Sequence, residues 1–226
     1  MFPAAFLVDL DGTLADSEPL KGLALARTCG MYGGEVSVEV YAEVMGEDWP
    51  TVTRHIFRQA GITPDVDAFN EDFRATYLQL LSSEVELTAG AQLFLDAARA
   101  SAIRLALVSS AMPWMVSAVL SKLDLLGVFD LVITQADVSR HKPDPEAYLL
   151  ALKRLALPAS DVVVIEDSQA GLRAAAGAGC RSIAIRHAFN ARHDLSLATR
   201  TVTDFHALLS GDVVRPGFAG FMPLPG

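Results

Sequence analysis

Cysteine is scarce in this sequence and positive charge is in deficit. Two cysteines, Cys29 and Cys180, stand far apart in 226 residues. That spacing supplies neither a disulfide framework nor a zinc-ligand cluster, so buried free thiols are expected. Eighteen Lys and Arg face 27 Asp and Glu, a formal net charge of −9. Such a balance argues against non-specific binding to nucleic acid or an anionic membrane, while a local cation site remains compatible with a small anionic substrate. No apolar run reaches spanning length, and no basic amino-terminal region precedes an apolar segment. A soluble, cytoplasmic protein is the expectation. Hydrophobic residues at 51% against 20% charged ones mark a folded chain with a substantial core.

What is present is organised around Phe6-Leu7-Val8-Asp9-Leu10-Asp11-Gly12-Thr13-Leu14. The apolar start reads as a short strand buried on both faces. Asp9 and Asp11 follow two positions apart, a spacing that on extended backbone points both carboxylates the same way. Gly12 permits a sharp turn, and Thr13 adds a hydroxyl at the bend. Paired carboxylates at a strand end fit a hard cation, an acid/base pair, or a nucleophile beside an acid. Solvated turn residues are the plain alternative, and three later segments weigh against it.

Helical patterns follow at 16–27, 38–45, 49–60 and 68–81, with breaks at Gly33-Gly34, Gly46 and Gly61. Asp48 with Pro50 marks a helix start. No strand is predicted between Thr13 and Thr88. Beyond Leu87, short apolar runs at 105–108, 131–134, 162–165 and 182–185 alternate with helices at 91–99, 114–123, 146–155 and 170–178. That alternation predicts an α/β fold, a doubly wound parallel sheet covered on both faces. The first strand joins it, and the helical module is an insertion. The predicted division is 1–14 with 87–226 as catalytic core and 15–86 as helical module. Residues 211–226, with three prolines and four glycines, read as a loosely docked tail.

Ligands of such sheets bind outside the carboxyl ends of the strands. The polar residues predicted there are Asp9, Asp11, Ser109, Ser110, Glu166 and Asp167, with Lys142 in the loop before a helix. Carboxylates, a hydroxyl and a lysine at one rim suit phosphoryl transfer with Mg²⁺.

These segments resemble the four motifs of the haloacid dehalogenase-like (HAD) phosphotransferases. Asp-Leu-Asp-Gly-Thr matches the first and Ser109 the second. Lys142 in Lys-Pro-Asp-Pro-Glu-Ala-Tyr matches the third, and Ile165-Glu166-Asp167-Ser168-Gln169-Ala170-Gly171 the fourth. The helical insertion resembles the cap of the branch that contains β-phosphoglucomutase, over a Rossmann-like core. The resemblance implies that Asp9 is a nucleophile forming an aspartyl-phosphate and Asp11 a general acid and base. It implies that Ser109 and Lys142 hold phosphate oxygens and that Asp9, Asp167, Glu166 and the Asp11 carbonyl attend the metal. Thr13 steadies the loop. His141 departs from the family's usual glycine.

In the cap, Lys21 and Trp49 are candidate substrate contacts, and Glu47 and Asp48 sit at a turn that faces the site in this family. Ser110 either joins the phosphate site or caps the next helix. Met112, Pro113 and Trp114 either line the pocket mouth or simply begin that helix. His55, His187, His193 and His206 show no metal-ligand spacing and read as surface or loop histidines. Asp144 reads as the cap of a helix starting at Pro145. The implied activity is Mg²⁺-dependent hydrolysis of a small phosphorylated metabolite, a sugar phosphate among the candidates. A phosphosugar mutase is the alternative, and a non-enzymatic binding protein a more distant one. A monomer or weak dimer is expected.

Overall fold

The computed structural model describes residues 3–210; the tail expected at 211–226 lies outside them. The central strand β1 (Ala5–Val8) has every residue buried. Its neighbours are β2 (Arg104–Val108) and β4 (Val162–Glu166), both parallel to it. With β3 (Leu131–Ile133), β5 (Arg181–Ile185) and β6 (Arg200–Val202) the order is β3-β2-β1-β4-β5-β6, all parallel. This is the doubly wound α/β sheet.

The two-residue period of the strands explains both cores. Phe6 and Val8 face one side with Leu105, Leu107, Val163 and Ile165. They pack on α4 (Ala91–Ala100), α5 (Pro113–Lys122) and α8 (Phe205–Ser210). Phe94 meets Phe6 and Phe205, each at 4.9 Å between ring centres. Ala5, Leu7, Ala106, Val108, Val162 and Val164 face the other side. There they pack on α6 (Glu146–Leu155) and α7 (Gln169–Gly177). Truncating a fully buried ring such as Phe6 to Ala in a core of this kind costs about 3–5 kcal/mol.

Between β1 and α4 the described residues form α1 (Glu18–Met31), a 3-10 helix (Val38–Glu43), α2 (Trp49–Ala60) and α3 (Val66–Glu84). They contain no strand, only isolated bridges of Ala15 with Asp11 and Leu87. Asp48 caps α2 by accepting the Thr51 N–H at 2.8 Å, and Gly61 ends it at φ +67°. Residues 38–43 are 3-10 rather than α because the segment is short and breaks at Gly46, whose φ is +87°. Helices α1 and α3 run longer than their periodicity, to Met31 and Glu84. Asp144 is not the N-cap of α6. That position is Pro145, and Asp144 accepts the Glu146 N–H at 3.0 Å.

Strand β6 and helix α8 were not legible. Arg200-Thr201-Val202 is too short and too polar at its edge for an apolar run, and sheet pairing to β5 makes it a strand. No helix among the described residues is long and apolar enough to cross a membrane. Cys29 and Cys180 are buried free thiols, each pushed up to about 11 by that burial.

Candidate active site

Three neighbouring strands deliver the site. Past the end of β1 the Asp9 N–H donates to the Ile165 carbonyl at 2.9 Å, extending the ladder to β4. The Ser109 N–H does the same from β2 to Ile133, also at 2.9 Å. Asp9, Ser109 and the Glu166-Asp167 pair therefore share one rim. Gly12, at φ +74°, turns the chain beneath it, and a Cβ there would lie 2.2 Å from an Asp167 oxygen. Only glycine fits that turn.

Lys142 reaches this rim from its loop and is 4% exposed. Its Nζ donates to Asp9 Oδ1 at 2.7 Å, Glu166 Oε1 at 2.6 Å and the Val108 carbonyl at 2.9 Å. Three donors meet three acceptors, which fixes the ammonium in space. Burial alone would lower this amine, but Asp9 and Glu166 push it well above the ordinary lysine value. Glu146 secures the loop by accepting from the Ser139 and Arg140 N–H groups at 3.0 and 3.1 Å. His141 does not have the positive φ that demands glycine, so the departure from the family pattern costs the loop no strain.

Glu166 is fully buried and saturated. Oε1 accepts from Lys142 and from the Tyr148 hydroxyl at 2.9 Å. Oε2 accepts from Asp167 N, Ser168 N and Ser168 Oγ, each at 3.0 Å. Burial raises this carboxyl, yet Lys142 and these donors outweigh it and hold it below the usual range. A Cβ on Gly171 would fall 1.8 Å from Oε1, which explains the glycine one turn into α7.

Oxygens of Asp9, Glu166 and Asp167 lie within 4.8 Å of one another. Burial raises Asp9 well above its ordinary value, and Lys142 only partly offsets that. Burial also raises Asp167, reinforced by Glu166 and Glu18. Two buried carboxyls pushed up in this way fit a divalent cation, whose charge relieves both. An all-oxygen donor set suits Mg²⁺. Because Glu166 already receives five hydrogen bonds, Asp9 and Asp167 are the carboxylates with oxygen left to offer.

The Asp11 side chain turns from this cluster toward α1. Its Oδ1 accepts from Ser17 Oγ at 2.5 Å and pairs with Lys21 at 3.2 Å. Lys21 also pairs with Glu18 at 3.3 Å and is 6% exposed. It lines the cleft, but two carboxylates take up its charge. Trp49 lines it too, with its ring 4.5 Å from Phe73 and its indole N–H on Asn70 at 2.9 Å. Thr13 Oγ1 donates to Asp167 at 3.3 Å. Ser109 Oγ accepts the Ala111 N–H at 3.0 Å, so its proton is free to donate. Ser110 is not a helix cap. Met112 holds that position before α5, and Ser110 Oγ is buried with no partner among the described residues.

Three of the histidines read as surface or loop residues have structural partners; His55 lies within α2, its Nδ1 3.0 Å from Arg58 Nη2. His187 Nε2 lies 2.9 Å from Asp167 Oδ2. The His187 N–H donates to Asn190 Oδ1 at 3.0 Å, which holds the residue against the carboxylate. Asn190 Nδ2 donates to the Asp167 carbonyl at 2.8 Å. His193 joins the helical segment to the core: Nε2 donates to the Ala42 carbonyl at 3.0 Å, and Nδ1 accepts from Gln169 N at 3.3 Å. Sequence spacing carries no signal for either. Tyr148, within the third motif, was legible only as part of that motif.

The helical segment closes over the rim to leave a narrow cleft. Asp9, Ser109 and Lys142 form one wall and Tyr41, Glu47 and Trp49 the other. Gly46 abuts the fourth motif so closely that a Cβ would sit 2.8 Å from Ser168.

A fold of this order with carboxylates, a lysine and a hydroxyl at its rim suits an enzyme of phosphoryl transfer. The model for haloacid dehalogenase-like hydrolases matches residues 6–185, and the chain belongs to that family. It is 30% identical over 187 residues to a phosphorylated carbohydrates phosphatase of Thermotoga maritima, covering 82% of this chain and 87% of that one. It is 34% identical over 182 residues to hexitol phosphatase A of Escherichia coli, covering 80% and 82%. The crystal structure of CbbY from Rhodobacter sphaeroides in complex with phosphate superposes with a TM-score of 0.83 at 28% identity, covering 93% and 97%. The chain is accordingly an enzyme, a HAD-type phosphatase.

Proposed function

We propose that this enzyme hydrolyses a phosphate monoester of a small, uncharged, hydroxylated metabolite through an aspartyl-phosphate on Asp9, with Mg²⁺ as cofactor. The carrying observation is the Lys142 ammonium, which fixes Asp9 Oδ1 at 2.7 Å, while Oδ2 has no partner among the described residues. Oδ2 attacks phosphorus and the bond to the leaving oxygen breaks. Asp11 gives that oxygen a proton, then takes one from the water that cleaves the acyl phosphate. Ser109 donates to a phosphate oxygen, and Lys142 offsets the charge on Asp9. Asp9, Asp167 and the Asp11 carbonyl would hold Mg²⁺, which neutralises phosphate oxygens when bound. Glu166 acts through Lys142 instead. Residues 15–86 serve as a cap over a core of 1–14 and 87–226.

Hydrolysis is favoured over phosphosugar mutation. A mutase must grip a second phosphate, and mutases resembling β-phosphoglucomutase do so with a cation before the cap glycine and another three positions after it, where this chain has Met45 and Trp49. The cations lining the cleft are Lys21 and Lys142, and both are bracketed by carboxylates. Glu47 would repel a second anion.

Hydrolysis of p-nitrophenyl phosphate should disappear in EDTA, return with Mg²⁺, and fall by several orders of magnitude in a folded Asp9→Asn variant. Full turnover by that variant would refute the assignment. With β-glucose 1-phosphate and a bisphosphate activator, free phosphate should appear faster than glucose 6-phosphate.

A further inference from the structure

The polar side chains that line the cleft are nearly all spoken for. Asp9 pairs with Lys142, Asp11 and Glu18 with Lys21, Trp49 with Asn70, and Ser168 with Glu166. Beside Asp9 Oδ2 and the Ser109 hydroxyl, which the proposed reaction uses, two more open atoms stand on the core wall. Gln135 Oε1 and Ser110 Oγ are both buried, both belong to residues lining the cleft, and neither has a partner among the described residues. Buried polar atoms are normally satisfied, so a pair left open within a binding cleft marks where a ligand group docks.

Gln135 is held for such a task. It opens the 3-10 turn Gln135–Asp137 after β3, and its N–H donates to the Ala111 carbonyl at 3.0 Å. Asp137 closes that turn by accepting the Thr134 N–H at 2.9 Å and is itself tied to Arg154 at 3.1 Å. The backbone beneath the amide is therefore pinned on both sides. Ser110 follows Ser109 in the loop after β2 and lines the same cleft as Gln135.

We propose that Gln135 and Ser110 form a specificity subsite that reads hydroxyl groups on the leaving group, so that the substrate is the phosphate ester of a polyol or sugar. An alcohol hydroxyl both donates and accepts, which suits either edge of an amide and a serine hydroxyl alike. A carboxylate only accepts, finds no uncommitted cation here, and faces Glu47 across the cleft. Selectivity is thus exercised by the core as well as by the cap. This deepens the phosphatase reading and rests on it.

The test measures kcat/KM for sorbitol 6-phosphate, 2-phosphoglycolate and p-nitrophenyl phosphate with the full-length enzyme and with Gln135→Leu and Ser110→Ala. The wild type should prefer the hexitol phosphate to phosphoglycolate. Each substitution should lower the ratio of hexitol phosphate to p-nitrophenyl phosphate by about tenfold or more, since it removes the partner of a substrate hydroxyl. An unchanged ratio in both variants, or a wild type that prefers phosphoglycolate, overturns the subsite and leaves the phosphatase reading standing. A wild type inert toward all three esters overturns the phosphatase reading, and the subsite with it.

Discussion

Two buried lysines, Lys142 and Lys21, each stand between two carboxylates at this rim. Lys142 meets its acceptors at 2.6 to 2.9 Å and uses all three protons on groups delivered by β1, β2 and β4. Lys21 meets Asp11 and Glu18 at 3.2 and 3.3 Å, with one partner on its own helix. The first ammonium is built into the core; the second arrives with α1. The difference teaches that position comes from acceptors on separate rigid elements, while charge alone can come from one helix. Lys142 sets where Asp9 points, and Lys21 sets how much negative charge surrounds Asp11.

The contrast is broken most directly by Lys142→Met beside Lys21→Met. Lys142→Met should lower kcat by at least two to three orders of magnitude. It should also destabilise the fold by about 3–5 kcal/mol, because Asp9 and Glu166 lose a buried counter-charge. Lys21→Met should cost about ten- to a hundredfold in kcat/KM and less stability, read by thermal melts. Equal losses would erase the distinction.

A smaller effect is expected at His187, which braces Asp167 from outside the cluster. Calorimetric titration of Mg²⁺ into His187→Ala should give an affinity about 10- to 100-fold weaker than wild type. His187→Gln keeps a donor at the same reach and should recover most of it. Identical affinities in all three proteins would show that the imidazole does not position Asp167.

The smallest effect concerns the loop that carries Lys142. Donors from Ser139, then Arg140, lower the Glu146 carboxyl from 4.5 to about 2. A lowered carboxylate stabilises the folded state above the unfolded value, and that contribution fades as pH falls through the folded one. The difference in melting temperature between wild type and Glu146→Gln should therefore be full above pH 4.5 and narrow as pH falls toward 2. A difference constant across that window would mean the loop is held by something else.

Much of this was legible in the sequence, for an identifiable reason. Strands buried on both faces declare themselves as apolar runs, and a sheet of such strands places whatever follows them at one rim. Asp9, Ser109, Glu166 and Asp167 were locatable on those grounds. Lys142 was locatable through its motif. His187, Asn190, Gln135 and Glu18 were not, because each acts through a contact between segments distant in sequence and none has a periodic or spaced signature. Lys21 was visible as a cation but not as a neutralised one, since its partner Asp11 belongs to another segment.

The sheet order sets the chain's order of synthesis against its order of assembly. β1 leaves the ribosome first, yet it occupies the centre of the sheet, and its two neighbours begin only at Arg104 and Val162. At a translation rate of about 5–20 residues per second, a completed β1 waits roughly ten to thirty seconds for β4. Until β2 is made, Ala5-Phe6-Leu7-Val8 is an apolar strand with both edges unpaired, and until β4 is made one edge stays open, the kind of segment a nascent-chain chaperone binds. The nucleophile is thus the first part of the site to be made and among the last to be put in place. A chain stalled before residue 167 carries Asp9 but no assembled rim around it, so incomplete translation products should bear no stray phosphatase activity.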